Sequence, residues 1–144
     1  MQIESLVTQH KHMLDLVDRA MGLRPEKDAA AIAAELAKLG QALLAHLETE
    51  DKHLYPALRQ FGDKPEAPVG LKMNIKNFFD EMEALKPQAI GFLTTWDAQA
   101  IAARPAEFRE ALAGLADVLS QRIAREESRL YPLYAEHIPA ATAR

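Results

Sequence analysis

The chain is predicted to be all-α, an antiparallel up-down four-helix bundle, on three observations. Ala, Leu, Glu, Lys and Gln dominate its 144 residues and glycines number only six, a composition that leans towards helix. Apolar residues recur in steps of three and four along four separate stretches. Clusters of Gly and Pro separate those stretches. Four helices of about 20 to 30 residues joined by short loops form such a bundle.

The first helix is expected over about residues 2–21, with Ile3, Val7, His10, Leu14, Val17 and Met21 on one stripe. His10 lies on that stripe, whereas His12 lies off it in solvent. Gly22 and Pro25 end the helix. The second begins near Asp28 and reaches about Tyr55, with a seam of Ile32, Leu36, Leu39, Leu43, His46, Glu50 and then His53 or Leu54. Three apolar turns that give way to His and Glu call for a partner, because burying those groups unpaired costs several kcal/mol. Pro56 follows the last turn, and residues 61–68 form a loop. The third helix starts around Val69 and carries Leu71, Ile75, Phe78, Met82, Leu85, Ala89, Phe92 and Trp96. Pro87 removes one backbone donor within it and predicts a kink near Glu83. A break at residues 102–105 places Pro105 at the start of the fourth helix, whose inward side reads Phe108, Leu112, Leu115, Leu119, Arg122, Glu126 and Leu130. One domain is expected over 1–138, with 139–144 as a loose tail.

The formal charge of −4 argues against a nucleic-acid partner, since phosphate-binding surfaces are basic. Without cysteine there is no disulfide, thiolate ligand or cysteine nucleophile. No run approaches the roughly 18 apolar residues of a membrane span, so a cytoplasmic location with no membrane partner is expected. No protease-type His-Glu-x-x-His and no Gly-rich phosphate loop occurs, and no nucleophile, base and electrophile can be placed together. We therefore expect no enzymatic activity; an unknown protein partner or a homodimer is left open.

One motif occurs twice. His46-Leu47-Glu48-Thr49-Glu50-Asp51-Lys52-His53-Leu54-Tyr55-Pro56 has a counterpart 76 positions on, Arg122-Ile123-Ala124-Arg125-Glu126-Glu127-Ser128-Arg129-Leu130-Tyr131-Pro132. The acidic residues and Leu-Tyr-Pro fall in register, but the heads differ, His46 against Arg122. His46 and Glu50, four apart, leave one helix face a turn apart. A nitrogen and a carboxylate so placed can grip a borderline metal ion, with His10 and Glu126 as partners on facing helices. Tyr55 and Tyr131 end the two motifs. Either their hydroxyls bond a ligand side chain, or their rings close the bundle end with the hydroxyls wet; the second reading is preferred here. Phe78, Phe79, Phe92 and Trp96 read as core, residues such as Asp51 and Glu127 as a solvated charged face, and His137 as exposed.

These motifs resemble the hemerythrin-like (HHE cation-binding) family over about residues 6–134. The resemblance implies a four-helix bundle. It also implies a carboxylate-bridged di-iron centre, held by a His on the first helix, His-x-x-x-Glu on the second, histidines on the third, and a His with a carboxylate on the fourth. By position His10, His46, Glu50 and Glu126 match those ligands, with His53 as an extra candidate. The third helix has no histidine, and Arg122 stands at the fourth-helix ligand position. A guanidinium has no lone pair for a metal. The expected function is a cation-binding module with a depleted site, taking at most one iron, zinc or manganese ion, and a full di-iron centre is not expected. The alternative is a metal-free interaction or stress-response module, its core held by an Arg122–Glu50–Glu126 ion-pair network in which the guanidinium bonds both carboxylates.

Overall fold

Two prolines shape this bundle. Pro56 has no N–H to give the carbonyl four residues back, and its ring crowds that carbonyl. The helix widens to accommodate it. After the helix α2 (Ala29–Thr49), residues Glu50–Leu54 form a π-turn in which the Tyr55 N–H donates to the Glu50 carbonyl; α3 (Tyr55–Gly62) then resumes with Pro56 in its first turn. The same device recurs where the motif recurs. Helix α6 (Pro105–Arg125) passes into a π-turn over Glu126–Leu130, closed by the Tyr131 N–H on the Glu126 carbonyl, and continues as α7 (Tyr131–His137). Pro56 therefore does not follow the last turn of its helix as expected; it and Pro132 each widen one turn. Single π-turns inside α-helices are uncommon and gather at functional sites.

The structure, a computed structural model, describes residues 2–138; the tail expected over 139–144 lies outside the described residues. The remaining helices are α1 (Ile3–Met21), α4 (Leu71–Thr95) and the short α5 (Ala98–Ala103). There is no strand among the described residues. Two apolar clusters fix the helix directions. One joins Met13 and Leu16 of α1, Ile32 to Leu47 of α2, Met82 to Ala89 of α4, and Phe108 to Ile123 of α6. The other joins Leu6, Leu54, Leu58, Leu71, Ile75, Phe78, Leu130, Tyr131 and Tyr134. Early α1 thus lies with the end of the α2–α3 rod, early α4 with that same end, and the end of the α6–α7 rod with both. Successive long rods run antiparallel, up-down-up-down.

Some details depart from the sequence reading. The buried stripe of α1 is Leu6, His10, Met13, Leu16, Val17 and Ala20, whereas Ile3, Val7 and Leu14 lie at its border and Met21 is exposed. Two apolar stripes share His10 and Val17, and the arc facing α2 and α6 takes the Leu6 one. Helix α4 starts two residues later than expected, after Gly70, whose φ of 86° is the left-handed conformation that suits glycine. It runs through Pro87, which sits on the exposed face. Helix α5 was not anticipated; Asp97 caps it, its Oδ1 accepting the Ala100 N–H at 2.8 Å, and it buries Ile101 completely. The aromatic cluster divides, with Trp96 and Phe92 against Phe108 at one end and Phe79 against Tyr55 at the other. His137 is half-buried, stacked on Phe61. The helical stretch Ala29–Gly62 is long and apolar enough to cross a membrane by length and composition, with a mean hydropathy of 1.2. Alanine and leucine spread along it supply that value, and its apolar stripe forms the core of this bundle.

Candidate metal centre

Between the two apolar clusters lies a buried polar layer of His10, His46, Glu50, Arg122 and Glu126. The π-turns place its carboxylates: Glu50 and Glu126 each open one. The extra residue in each turn rotates the inward stripe by one position. Leu54, Tyr55 and Leu58 follow Glu50 into the core, and Leu130, Tyr131 and Tyr134 follow Glu126. In an unbroken α-helix His53, seven residues after His46, would have stayed on the stripe. The widened turn puts it in solvent, so His53 lies outside the buried group.

Four ligand atoms converge, one each from His10, His46, Glu50 and Glu126, all within 4.8 Å of one another. His10 Nε2 is 3.0 Å from His46 Nε2 and 2.9 Å from Glu126 Oε1. His46 Nε2 is 3.3 Å from Glu50 Oε2 and 3.5 Å from Glu126 Oε1. Both imidazoles turn Nε2 inward because their Nδ1–H groups are held elsewhere. His10 Nδ1 donates to Glu127 Oε2 at 2.7 Å, and His46 Nδ1 donates to Gln9 Oε1 at 2.7 Å. Such outer hydrogen bonds fix the tautomer and ring orientation of a metal-binding histidine. The sequence reading missed both partners. Each is chain neighbour to a site residue (Gln9 beside His10, Glu127 beside Glu126), and that adjacency was the available signal.

Arg122 is buried and its Nε donates to Glu126 Oε2 at 3.0 Å. Its other nitrogens reach Tyr55 Oη at 2.9 Å and Glu81 Oε2 at 3.4 Å, and Glu81 also pairs with Arg125. The expected network therefore needs correction. Arg122 has no hydrogen bond to Glu50; from one helical turn before Glu126 it reaches the buried Tyr55 hydroxyl and Glu81. Glu50 is joined instead to Tyr131, whose hydroxyl donates to Glu50 Oε2 at 2.8 Å and lies 3.1 Å from Glu126 Oε1. The preferred reading of the tyrosines is corrected as well: both are buried, with their hydroxyls inside the polar layer. Phe78 of α4 lies beneath the Arg122 guanidinium, 5.3 Å from it.

The electrostatics follow from this packing. Burial alone would lower the proton affinity of His46, but hydrogen bonds to Glu126 and Glu50 outweigh it and raise the pKa to about 9. Burial would raise Glu126, yet His10, His46 and the Arg122 charge hold it well below the usual carboxylate range. Glu50 is raised, burial outweighing its bond to His46. A proton on His46 and the guanidinium of Arg122 thus sit where a cation's charge would be placed. Glu50 Oε1 is buried and has no hydrogen-bond partner, an uncommon state for a buried carboxylate oxygen. Two imidazoles and two carboxylates suit a borderline divalent ion, and Glu50 Oε2 is the oxygen turned towards His46. The four residues could hold a metal ion.

A void of about 10 Å³ touches His10, His46, Arg122 and Glu126 and is otherwise lined by apolar side chains such as Met82 and Leu119. The sequence model of the hemerythrin HHE cation-binding domain matches residues 1–134. No curated protein and no solved structure matches the chain.

Proposed function

This chain belongs to the hemerythrin HHE cation-binding domain family, and from that premise we propose that it is a non-enzymatic module that binds one metal ion. His10, His46, Glu50 and Glu126 are the ligands, with iron, zinc or manganese as the fitting ions. The observation that carries this reading is the convergence of one atom from each of the four within 4.8 Å. Support for depletion from two ions to one comes from the neighbours. Arg122 occupies the head of the second motif, and α4 presents Phe78 and Met82 rather than imidazoles. A bound ion supplies a Lewis-acidic, and for iron a redox-active, centre. The protein orients two Nε2 atoms, excludes water with the flanking apolar clusters, and keeps Glu126 ionised through Arg122.

A metal-free role is the second reading, and one observation favours it. The polar layer is charge-compensated by Arg122 and the His46 proton, so the core has its own cations. In that case the Arg122–Glu126–Tyr55 contacts hold the bundle together and the protein acts by presenting its surface to a partner. Titration with ferrous iron, zinc and manganese under chelator control separates the readings. Saturation near one ion per chain, abolished in His46→Ala, supports the first; no uptake by any of the three supports the second.

A further inference from the structure

One hydroxyl touches every ligand atom of the centre. Tyr131 Oη lies 2.8 Å from Glu50 Oε2, 3.1 Å from Glu126 Oε1, 3.1 Å from His10 Nε2 and 3.5 Å from His46 Nε2. Tyr55, its counterpart in the first motif, points instead to Arg122. The repeat is therefore symmetric in backbone and asymmetric in chemistry: one tyrosine faces the ligands and the other the guanidinium.

Bonds of about 2.1 Å to nitrogen and oxygen set neighbouring donor atoms of a five-coordinate ion roughly 3.0 to 3.6 Å apart. Eight of the ten separations among the five atoms run from 2.8 to 3.5 Å. A hydroxyl that merely supported one ligand from behind would approach that ligand alone. Tyr131 is in addition buried, at the end of the π-turn that begins at Glu126.

We propose that Tyr131 is a fifth metal ligand, bound through its phenolate oxygen. The inference rests on the one-ion reading above. On ligation the Oη–H bond breaks, its proton leaves to solvent, and the oxygen's electron pair goes to the ion. Glu50 then loses the hydrogen bond it accepts in the metal-free protein, and the metal takes that role.

Ferric iron reports this ligation directly, because phenolate bound to Fe(III) gives a visible charge-transfer band and tyrosinate modes in resonance Raman spectra. The full chain is loaded with ferrous iron under argon, exposed to air, and measured for iron content and spectrum. The expected result is about one iron per chain, the visible band, and tyrosinate modes. Tyr131→Phe is expected to lose the band while keeping about one iron, and Tyr55→Phe to keep both. One iron without tyrosinate modes in the unmodified protein overturns the proposal but leaves the one-ion reading standing, and this measurement needs no variant to fold. A band that survives in Tyr131→Phe also overturns it. Failure of the unmodified chain to take up iron, zinc or manganese overturns both.

Discussion

Arg122 and Glu126 are joined by a 3.0 Å hydrogen bond on the carboxylate oxygen that His10 does not use: Nε takes Oε2, and His10 Nε2 lies on Oε1. The carboxylate is thereby divided between a permanent cation and the inward ligand group. Both partners are buried, and removing one partner of a buried pair leaves an uncompensated charge, at a cost of about 3 to 5 kcal/mol. Arg122→Ala is expected to lose that much in urea unfolding of the metal-free protein. A loss under about 1 kcal/mol would show that the pair does not hold the core.

The outer hydrogen bonds give a separate expectation. Gln9→Ala and Glu127→Ala leave all four ligands in place but free an imidazole Nδ1. Each is expected to weaken zinc binding by about 10- to 100-fold and to change unfolding free energy by less than about 1 kcal/mol, in line with a single part-exposed hydrogen bond. Competition titration with a chelating dye reads the first quantity. Unchanged affinity in both variants contradicts the orienting role.

His46 makes stability depend on pH in a direction that can be stated. Its folded-state pKa is raised to about 9, above an ordinary histidine value of about 6.5. The protonated form is therefore favoured by folding. That contribution is fully present below about pH 6.5 and is lost as pH rises through about 9. Metal-free protein should lose up to a few kcal/mol between those limits, measured by urea midpoints, and His46→Gln should flatten the trend. Metal affinity runs the other way, because the ion must displace this proton. A stability that rises across the interval would refute the assignment of the proton.

The prolines are expected to trade stability against the site. Pro132→Ala restores a backbone donor to the α6–α7 rod, which favours an ordinary α-turn over the π-turn. Regular winding would carry Tyr131 and the residues after it round by one position, about 100°. We expect unchanged or higher stability together with at least tenfold weaker metal binding. Lower stability with intact binding would mean that the π-turn has another cause.

Much of this was legible in the chain. The seams of the second and fourth helices were mostly legible, because each holds a single apolar stripe that ends in ionisable groups; Leu47 and Ile123 were missed, and Leu115 is only half-buried. The first helix was read one stripe away, since Leu6-Met13-Ala20 and Ile3-Leu14-Met21 are equally apolar and only packing between α2 and α6 chooses. The repeated Leu-Tyr-Pro was visible, but its effect was not. Pro56 alone reads as the end of a helix, whereas the tertiary packing of Leu58 and Tyr134 keeps both rods helical beyond their prolines and the strain goes into one wide turn. That shift sends His53 to solvent and both tyrosine hydroxyls inward. Gln9 and Glu127 carried no periodic signal, because a side chain reaching sideways from the edge of a helix face looks like any solvated residue.

Ion stoichiometry tests the central claim most directly. Protein purified without chelators or affinity tags is assayed by elemental analysis, beside the same preparation of His46→Ala. The account predicts about one iron, zinc or manganese per chain in the unmodified protein and none in the variant. Two ions per chain would contradict the proposed one-ion reading.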